Sequence, residues 1–268
     1  MLLREVAYAR PASVPEALRL LSENPGARAL AGGQTIVNVM KARAASPDGL
    51  VDLNGLPGLA GVELASDGTL TIGAMTTYSA LLASAEARAR PIIGEVCATI
   101  ADVQVRNRGT IGGNLCSNDP TNHLPPLMVA LGARMTIAGR DGEREVPAEE
   151  FFLGVYLTAV GEGELLLRIA VPPGRDDGFA AVTIGVDGTC IACAAASIDG
   201  GAPRIALGCV AATPVLVPVE AADEDAVRAG VRAAGLDPPS DVHASADYRR
   251  HLAEVLAARA VRQARGRA

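Results

Sequence analysis

The chain has 268 residues, 49% hydrophobic and 20% charged, with a formal net charge of −6. This length and apolar share support a sizeable core in one domain or in a domain with an appended one. The acidic balance argues against a dedicated nucleic-acid binder, and no window reaches the roughly 18 unbroken apolar residues of a membrane span. Aromatic residues are only 3% and Trp is absent, so the core must be built mostly from Ala, Val, Leu and Ile. The opening Met1-Leu2-Leu3-Arg4-Glu5 becomes charged at once and has no leader character. Five scattered cysteines without such a leader point to reduced thiols in the cytoplasm.

In chain order, Ser13-Val14-Pro15-Glu16 has the Ser-x-x-Glu form of a capping box, with proline inside the first turn. Ala17, Leu18, Leu20 and Leu21 supply an apolar face until Pro25-Gly26 stops the helix. Residues 27–31 are expected as a short buried strand, 36–41 as a short helix and 50–53 as another strand. Ser66-Asp67-Gly68 marks a hairpin between 62–65 and 70–74. Helices are expected over 78–83, 92–101 and around 127–131. A second hairpin turns at Arg140-Asp141-Gly142, and 165–171 reads as a buried strand. Pro172-Pro173-Gly174 is the clearest linker candidate. Beyond it, strand-like runs at 179–184, 191–198 and 204–210 suggest an antiparallel meander, the last two joined across Asp199-Gly200-Gly201. Helices over 223–234 and from 245 to about 264 close the chain. The arginines from Arg249 to Arg267 read as the solvated face of that last helix.

Two loops read alike: Ala31-Gly32-Gly33-Gln34-Thr35 and Thr110-Ile111-Gly112-Gly113-Asn114. Each places two glycines where a side chain would obstruct and sets a hydroxyl and an amide beside them. Neither is a Gly-x-Gly-x-x-Gly fingerprint or a P-loop. A diphosphate needs backbone N–H donors, close approach and short hydroxyls, and two such loops can supply these from both sides. Spacing alone leaves open a pair of unrelated turns.

The segment Val103-Gln104-Val105-Arg106-Asn107-Arg108-Gly109-Thr110-Ile111-Gly112-Gly113-Asn114 resembles the flavoprotein subunits of molybdenum hydroxylases. These are the carbon monoxide dehydrogenase medium subunits and the middle domain of xanthine dehydrogenase. The first loop followed by Met40-Lys41-Ala42-Arg43, Phe151-Phe152-Leu153-Gly154-Val155-Tyr156, Gly163-Glu164-Leu165-Leu166-Leu167 and the run from Asp241 to Arg250 are similar to further signatures of that family. The likeness spans nearly the whole chain.

The resemblance implies an α+β fold: a two-subdomain α/β FAD-binding domain (PCMH-type) over 1–174, divided at about 56/57. An antiparallel sheet with helices, of the carbon monoxide dehydrogenase flavoprotein type, follows over 175–268. It implies FAD held at the diphosphate by Ala31, Gly32, Gly33, Gln34 and Thr35 on one side. Thr110, Ile111, Gly113 and Asn114 would face them from the other. Ile100 and Ala101 sit where the family packs adenine, and Leu166 where a leucine approaches the flavin ring. Ser117 and Asp119 suit ribityl or ribose hydroxyls. Where the family has Asp, this chain has His123, whose neutral imidazole can still accept a hydrogen bond. Ala180-Ala181-Val182-Thr183-Ile184-Gly185 lacks the Lys and Arg common there.

The implied function is electron transfer from an iron–sulfur subunit through FAD to an acceptor, within a hetero-oligomer that also holds a molybdopterin large subunit. The alternatives are a free-standing flavin oxidoreductase and a scaffold that has lost its flavin. No general base or nucleophile stands out. Cys190-Ile191-Ala192-Cys193 has metal-like spacing but no second pair, and residues three apart on a strand face opposite sides. Buried thiols are therefore expected, with no metal. Arg106 and Arg108 suit an anionic cofactor, a grip on a partner subunit, or a solvated pair. Glu149-Glu150 and Asp176-Asp177 read as solvated loop charges, and His243 and His251 as surface residues.

Overall fold

A computed structural model of the chain describes residues 3–185, 188–199 and 202–267. Met1 and Leu2, and Gly200 and Gly201 of the expected turn, lie outside the described residues.

The first unit runs β1 (Ala7–Ala9), α1 (Val14–Glu23), β2 (Ala27–Leu30), α2 (Ile36–Lys41) and β3 (Gly49–Asp52). Its three strands form a parallel sheet in the order β1-β3-β2. The capping box at Ser13 is real but shifted at one end. The Ser13 hydroxyl accepts from the Glu16 amide at 3.3 Å, while Glu16 reaches back to the Ala12 amide at 2.7 Å. Ala17 and Leu21 of α1 pack with Val51, Leu53, Leu165 and Leu167 into a small core.

Next come β4 (Val62–Leu64), β5 (Leu70–Gly73), α3 (Tyr78–Ala83), a 3-10 turn at Glu86–Ala89, α4 (Pro91–Thr99), α5 (Val103–Arg108), α6 (Ile111–Ser117) and α7 (Leu124–Ala130). After these follow β6 (Arg134–Gly139), β7 (Gly142–Pro147), α8 (Ala148–Phe151), β8 (Phe152–Gly154), β9 (Leu157–Thr158) and β10 (Leu165–Val171). The strands β4-β5-β10-β6-β7 make an antiparallel sheet, and β8 pairs with β9. In β10, Leu166 pairs with Ile137 but Arg168 with Thr136, so Leu167 is an extra residue. This bulge changes which face each side chain takes. Leu166 and Ile169 enter the main core, whereas Leu165 and Leu167 join the small core against α1.

The last unit comprises β11 (Asp177–Ile184), β12 (Thr189–Ser197), β13 (Arg204–Gly208), β14 (Val215–Val217), α9 (Glu224–Ala233) and α10 (Ala246–Arg265). Its four strands are antiparallel in chain order. One face buries Ala192, Ala194, Ile205 and Leu207 with Leu252, Leu256 and Ala260 of α10. The other face sends Ala195 and Ala206 into the main core, beside Leu127 and Met128 of α7.

Four expectations are corrected. The second glycine-rich segment is not a loop: Thr110 is the N-cap of α6, and its hydroxyl accepts from the Gly113 amide at 3.0 Å. Asp177 is not a solvated loop charge. It is fully buried, and Arg90 Nε and Nη2 each donate to it at 2.7 Å. The same guanidinium also donates to Ser197 Oγ, Asp199 Oδ2 and the Pro172 carbonyl.

Arg249 is buried rather than solvated. It donates to Asp241 at 2.6 Å and to the carbonyls of Ile191 and Cys209. Finally, Cys190 and Cys193 do not face opposite ways. Val182 pairs with Ala192 but Thr183 with Cys190, so a bulge at Ile191 resets the alternation. Cys190, Cys193 and Cys209 then form one buried cluster under Phe179 and Ala181.

Candidate flavin site

The first glycine loop leaves β2 at Ala31 and feeds α2. Gly33 has φ of +76°, a left-handed conformation that favours glycine. The Asn54 side chain holds the loop by donating to the Ala31 carbonyl at 2.9 Å. Among the described residues, the N–H groups of Gly32, Gly33, Gln34 and Thr35 donate to no protein acceptor. Thr35 occupies the N-cap position of α2 without a capping hydrogen bond, so its hydroxyl is not committed there. Buried backbone donors without partners are rare, so open amides clustered on one loop suit an anionic ligand.

The second segment reaches the first directly. A methyl group on Gly32 would lie 2.0 Å from the Arg108 carbonyl oxygen and 2.9 Å from Gly109 Cα. One on Gly113 would lie 3.5 Å from Ala31 Cβ. The two glycine segments, about eighty residues apart in sequence, therefore meet in space.

Their contributions differ. Ile111 N–H donates to the Thr76 carbonyl and Gly112 N–H to Ala74, and Gly113 N–H is taken by Thr110. This segment offers shape and side chains rather than free amides. Gly112 owes its identity to β5: a Cβ there would sit 2.6 Å from the Ala74 oxygen.

Between the segments lies a cleft of about 830 Å³, within the range of small-molecule cofactor sites. It is lined by Ala31, Gly32, Gly33, Gln34, Thr35, Ile100, Ala101, Thr110, Gly113, Asn114, Ser117, His123 and Leu166. Ile111 and Asp119 do not line it. The Ile111 side chain is wholly inside the main core. Asp119 accepts from the Thr121 amide and hydroxyl, and from the Tyr156 hydroxyl at 3.2 Å.

Two buried polar atoms on the cleft wall have no partner, Asn114 Oδ1 and His123 Nε2. Burial pushes the His123 imidazole below its ordinary value, with nearby Cys209 opposing, so the ring is neutral at pH 7. Its edge packs against Phe179 at a centroid distance of 5.4 Å.

Residues outside the expected set complete the site. Tyr78 lines the cleft with Asn114, and burial pushes its hydroxyl far up, with the Asn114 side chain opposing. Arg106 does not line the cleft, and backbone carbonyls engage its guanidinium. Its Nη1 donates to the carbonyls of Ile100 and Ala101 at 2.9 and 2.8 Å. It thereby braces the turn in which Ala101 takes φ of +45°. Asn118, at φ of +38°, donates to the carbonyls of Gly154 and Leu157, fixing the β8–β9 hairpin at the cleft mouth. These braces escape sequence reading because each joins residues remote in sequence or carries a backbone angle that side-chain identity does not fix. The Phe151–Tyr156 signature was their one visible trace. The unpartnered acceptors, open amides and cleft size fit a dinucleotide such as FAD.

Residues 4–174 match the family model described as the FAD binding domain in molybdopterin dehydrogenase. The chain belongs to that family. It is 40% identical to the carbon monoxide dehydrogenase medium chain of Afipia carboxidovorans, over 97% of each chain. It is 34% identical to the 6-hydroxypseudooxynicotine dehydrogenase complex subunit alpha of Paenarthrobacter nicotinovorans, covering 96% of this chain and 93% of that one. The fold superposes on a chain of the carbon monoxide dehydrogenase of Hydrogenophaga pseudoflava with a TM-score of 0.93 and 36% identity, covering 100% of this chain and 99% of that one. Among the described residues, no helix is long and apolar enough to cross a membrane.

Proposed function

We propose that this chain is the flavoprotein subunit of a molybdenum hydroxylase complex. It would accept electrons from an iron–sulfur subunit, after their removal from substrate at a molybdopterin subunit, and deliver them to an external acceptor. FAD supplies the ability to take up and release electrons, and the chain's task is to hold and expose it. The open amides of Gly32, Gly33, Gln34 and Thr35 would hold the diphosphate, with Thr110, Gly113 and Asn114 closing from the other side. Ile100 and Ala101 would flank the adenine and Leu166 the flavin ring. Ser117 and His123 would meet hydroxyls, with Asp119 acting from outside the cleft through Tyr156. In this reading residues 1–174 form the flavin domain and 175–268 a separate C-terminal domain, and the complex works in the cytoplasm.

The observation that carries the reading is the run of unpartnered amides facing a second glycine segment across a cleft of cofactor size. The orphaned Asn114 Oδ1 and His123 Nε2 speak against a scaffold that has lost its flavin. Such a protein has no reason to keep buried acceptors unpaired. That the relatives are named as chains or subunits of larger enzymes supports a complex over a free-standing oxidoreductase.

The test is capture of the tagged full chain from its own cells. Flavin absorbance with co-purifying iron and molybdenum is expected. A Gly32→Ala chain, whose new methyl meets the immovable Arg108 carbonyl, is expected to lose at least about tenfold in FAD affinity, or about 1.4 kcal/mol. A yellow protein that arrives alone, and is bleached by a small organic donor, overturns the proposal.

A further inference from the structure

Behind the His123 wall of the flavin cleft, on the face of the β11–β14 sheet that meets α7, three thiols converge. The Sγ atoms of Cys190, Cys193 and Cys209 lie within 4.8 Å of one another, and all three residues are buried. Two irregularities of the backbone bring them together. The bulge at Ile191 turns Cys190 to the face that Cys193 occupies. Cys209, just past β13, takes φ of +65°, a left-handed conformation that disfavours a non-glycine residue. Filling a core with small apolar side chains requires neither feature.

A third adjustment makes room. A Cβ on Gly208 would lie 2.6 Å from Cys193 Sγ and 2.8 Å from Pro126 Cγ, so the sulfur occupies the space a side chain would take. Phe179 and Ala181 cover the cluster with apolar surface. On one side Cys209 donates to the Pro120 carbonyl at 2.9 Å, and on the other the Arg249 guanidinium reaches the Cys209 and Ile191 carbonyls. The His123 ring, on the flavin-cleft wall, packs against Phe179 beside the cluster.

We propose that Cys190, Cys193 and Cys209 form a buried three-thiolate site for a soft d10 cation, Zn(II) or Cu(I). Thiolate sulfur selects these ions over the hard cations that oxygen donors hold. A cation about 2.3 Å from each sulfur needs S···S separations of about 4 Å in a trigonal plane. The present spacing reaches that with side-chain adjustments below about 1 Å. A disulfide would join two of the sulfurs and leave the third without a role, whereas a cation uses all three. Binding is an exchange of protons for the ion: each thiol that ligates gives up its proton, and no electron moves. Cu(I) is satisfied by three sulfurs, whereas Zn(II) takes a fourth donor beyond the three thiols.

The test uses the full chain produced without partners, so that no other subunit's metals contribute, in cultures supplemented with zinc or with copper. After desalting, elemental analysis is expected to give about one equivalent of one of these metals per chain. X-ray absorption is expected to show sulfur neighbours near 2.3 Å. Cys193→Ala and Cys209→Ala are expected to lose the metal, and Cys97→Ala, in the main core, to keep it. Circular dichroism of each variant guards against one that merely misfolds, and thiol titration in denaturant counts the free cysteines. Wild-type chain with native circular dichroism, five reactive thiols and no metal in either culture overturns the proposal. So does a count of three thiols, which marks a disulfide, or metal retained by both cluster variants.

Discussion

His123 is a neutral ring in a dry place, and that has a sign in pH. Burial lowers its proton affinity in the folded chain, so the unfolded chain binds the proton more readily. Its contribution to stability is intact above the unfolded value of about 6.5 and is lost as pH falls below it. We expect thermal unfolding between about pH 7.5 and 5.5 to show a steeper fall in Tm for wild type than for His123→Gln. Equal slopes would place the titrating group elsewhere. At this scale the sequence was legible where a residue's role is local. The glycines and hydroxyls of both segments line the cleft. It was illegible where the role depends on a distant partner. Nothing near Ile111 or Gly112 announces that their amides are consumed by Thr76 and Ala74. Nor does Asp177 announce the arginine, 87 residues away, that buries it.

Among the elements, α6 shows how a glycine pair is built into a helix rather than a loop. Thr110 turns the chain at φ of −112° and ψ of 152° and caps the Gly113 amide, and Gly112 slides in against Ala74. Losing a side-chain cap costs about 1 kcal/mol, most of which serine at the same position recovers. Thr110→Ala is therefore expected to lower the unfolding free energy by that amount, read as a lower urea midpoint, and to release flavin, with Thr110→Ser close to wild type. An Ala variant as stable as wild type would deny the cap. The longer elements could be read from sequence because their signals are local. Ser13, Thr77, Asp223 and Ser245 cap expected helices, whereas Asp102 caps α5, a helix that was not expected, and the turns at Asp67-Gly68 and Asp141-Gly142 make hairpins. The short strands β1, β8, β9 and β14 were invisible. Two to three residues hold no periodicity, and such strands exist only because a neighbour pairs with them.

For the whole molecule, the seam between the N-terminal sheets and the β11–β14 sheet is bridged by a buried guanidinium. Arg90 leaves the start of α4 and spends its donors on Asp177, Ser197, Asp199 and Pro172, all beyond β10. Burial alone would raise the Asp199 carboxyl. The Ser197 hydroxyl, Arg90 and the Arg175 and Asp176 amides outweigh it and hold the group below its ordinary value. Removing one side of a buried ion pair strands the other, at about 3–5 kcal/mol. Asp177→Asn is expected to destabilise the chain by that order, read as a lower urea midpoint in a single transition. Two separated transitions, with only the later residues affected, would show that the seam does not couple the halves. The Pro172-Pro173-Gly174 stretch marks a change of texture, yet the contacts of Arg90 and α7 run straight across it.

The four unbonded N–H groups between β2 and α2 have a cellular consequence. Without ligand they must be hydrated inside a narrow crevice, so the empty chain is the less stable form. Any molecule that binds only the folded state raises stability by mass action, about 2.7 kcal/mol at a hundredfold excess over its Kd. Cells short of riboflavin would then hold less of this polypeptide even with transcription unchanged, because quality-control proteases remove the unloaded copies first.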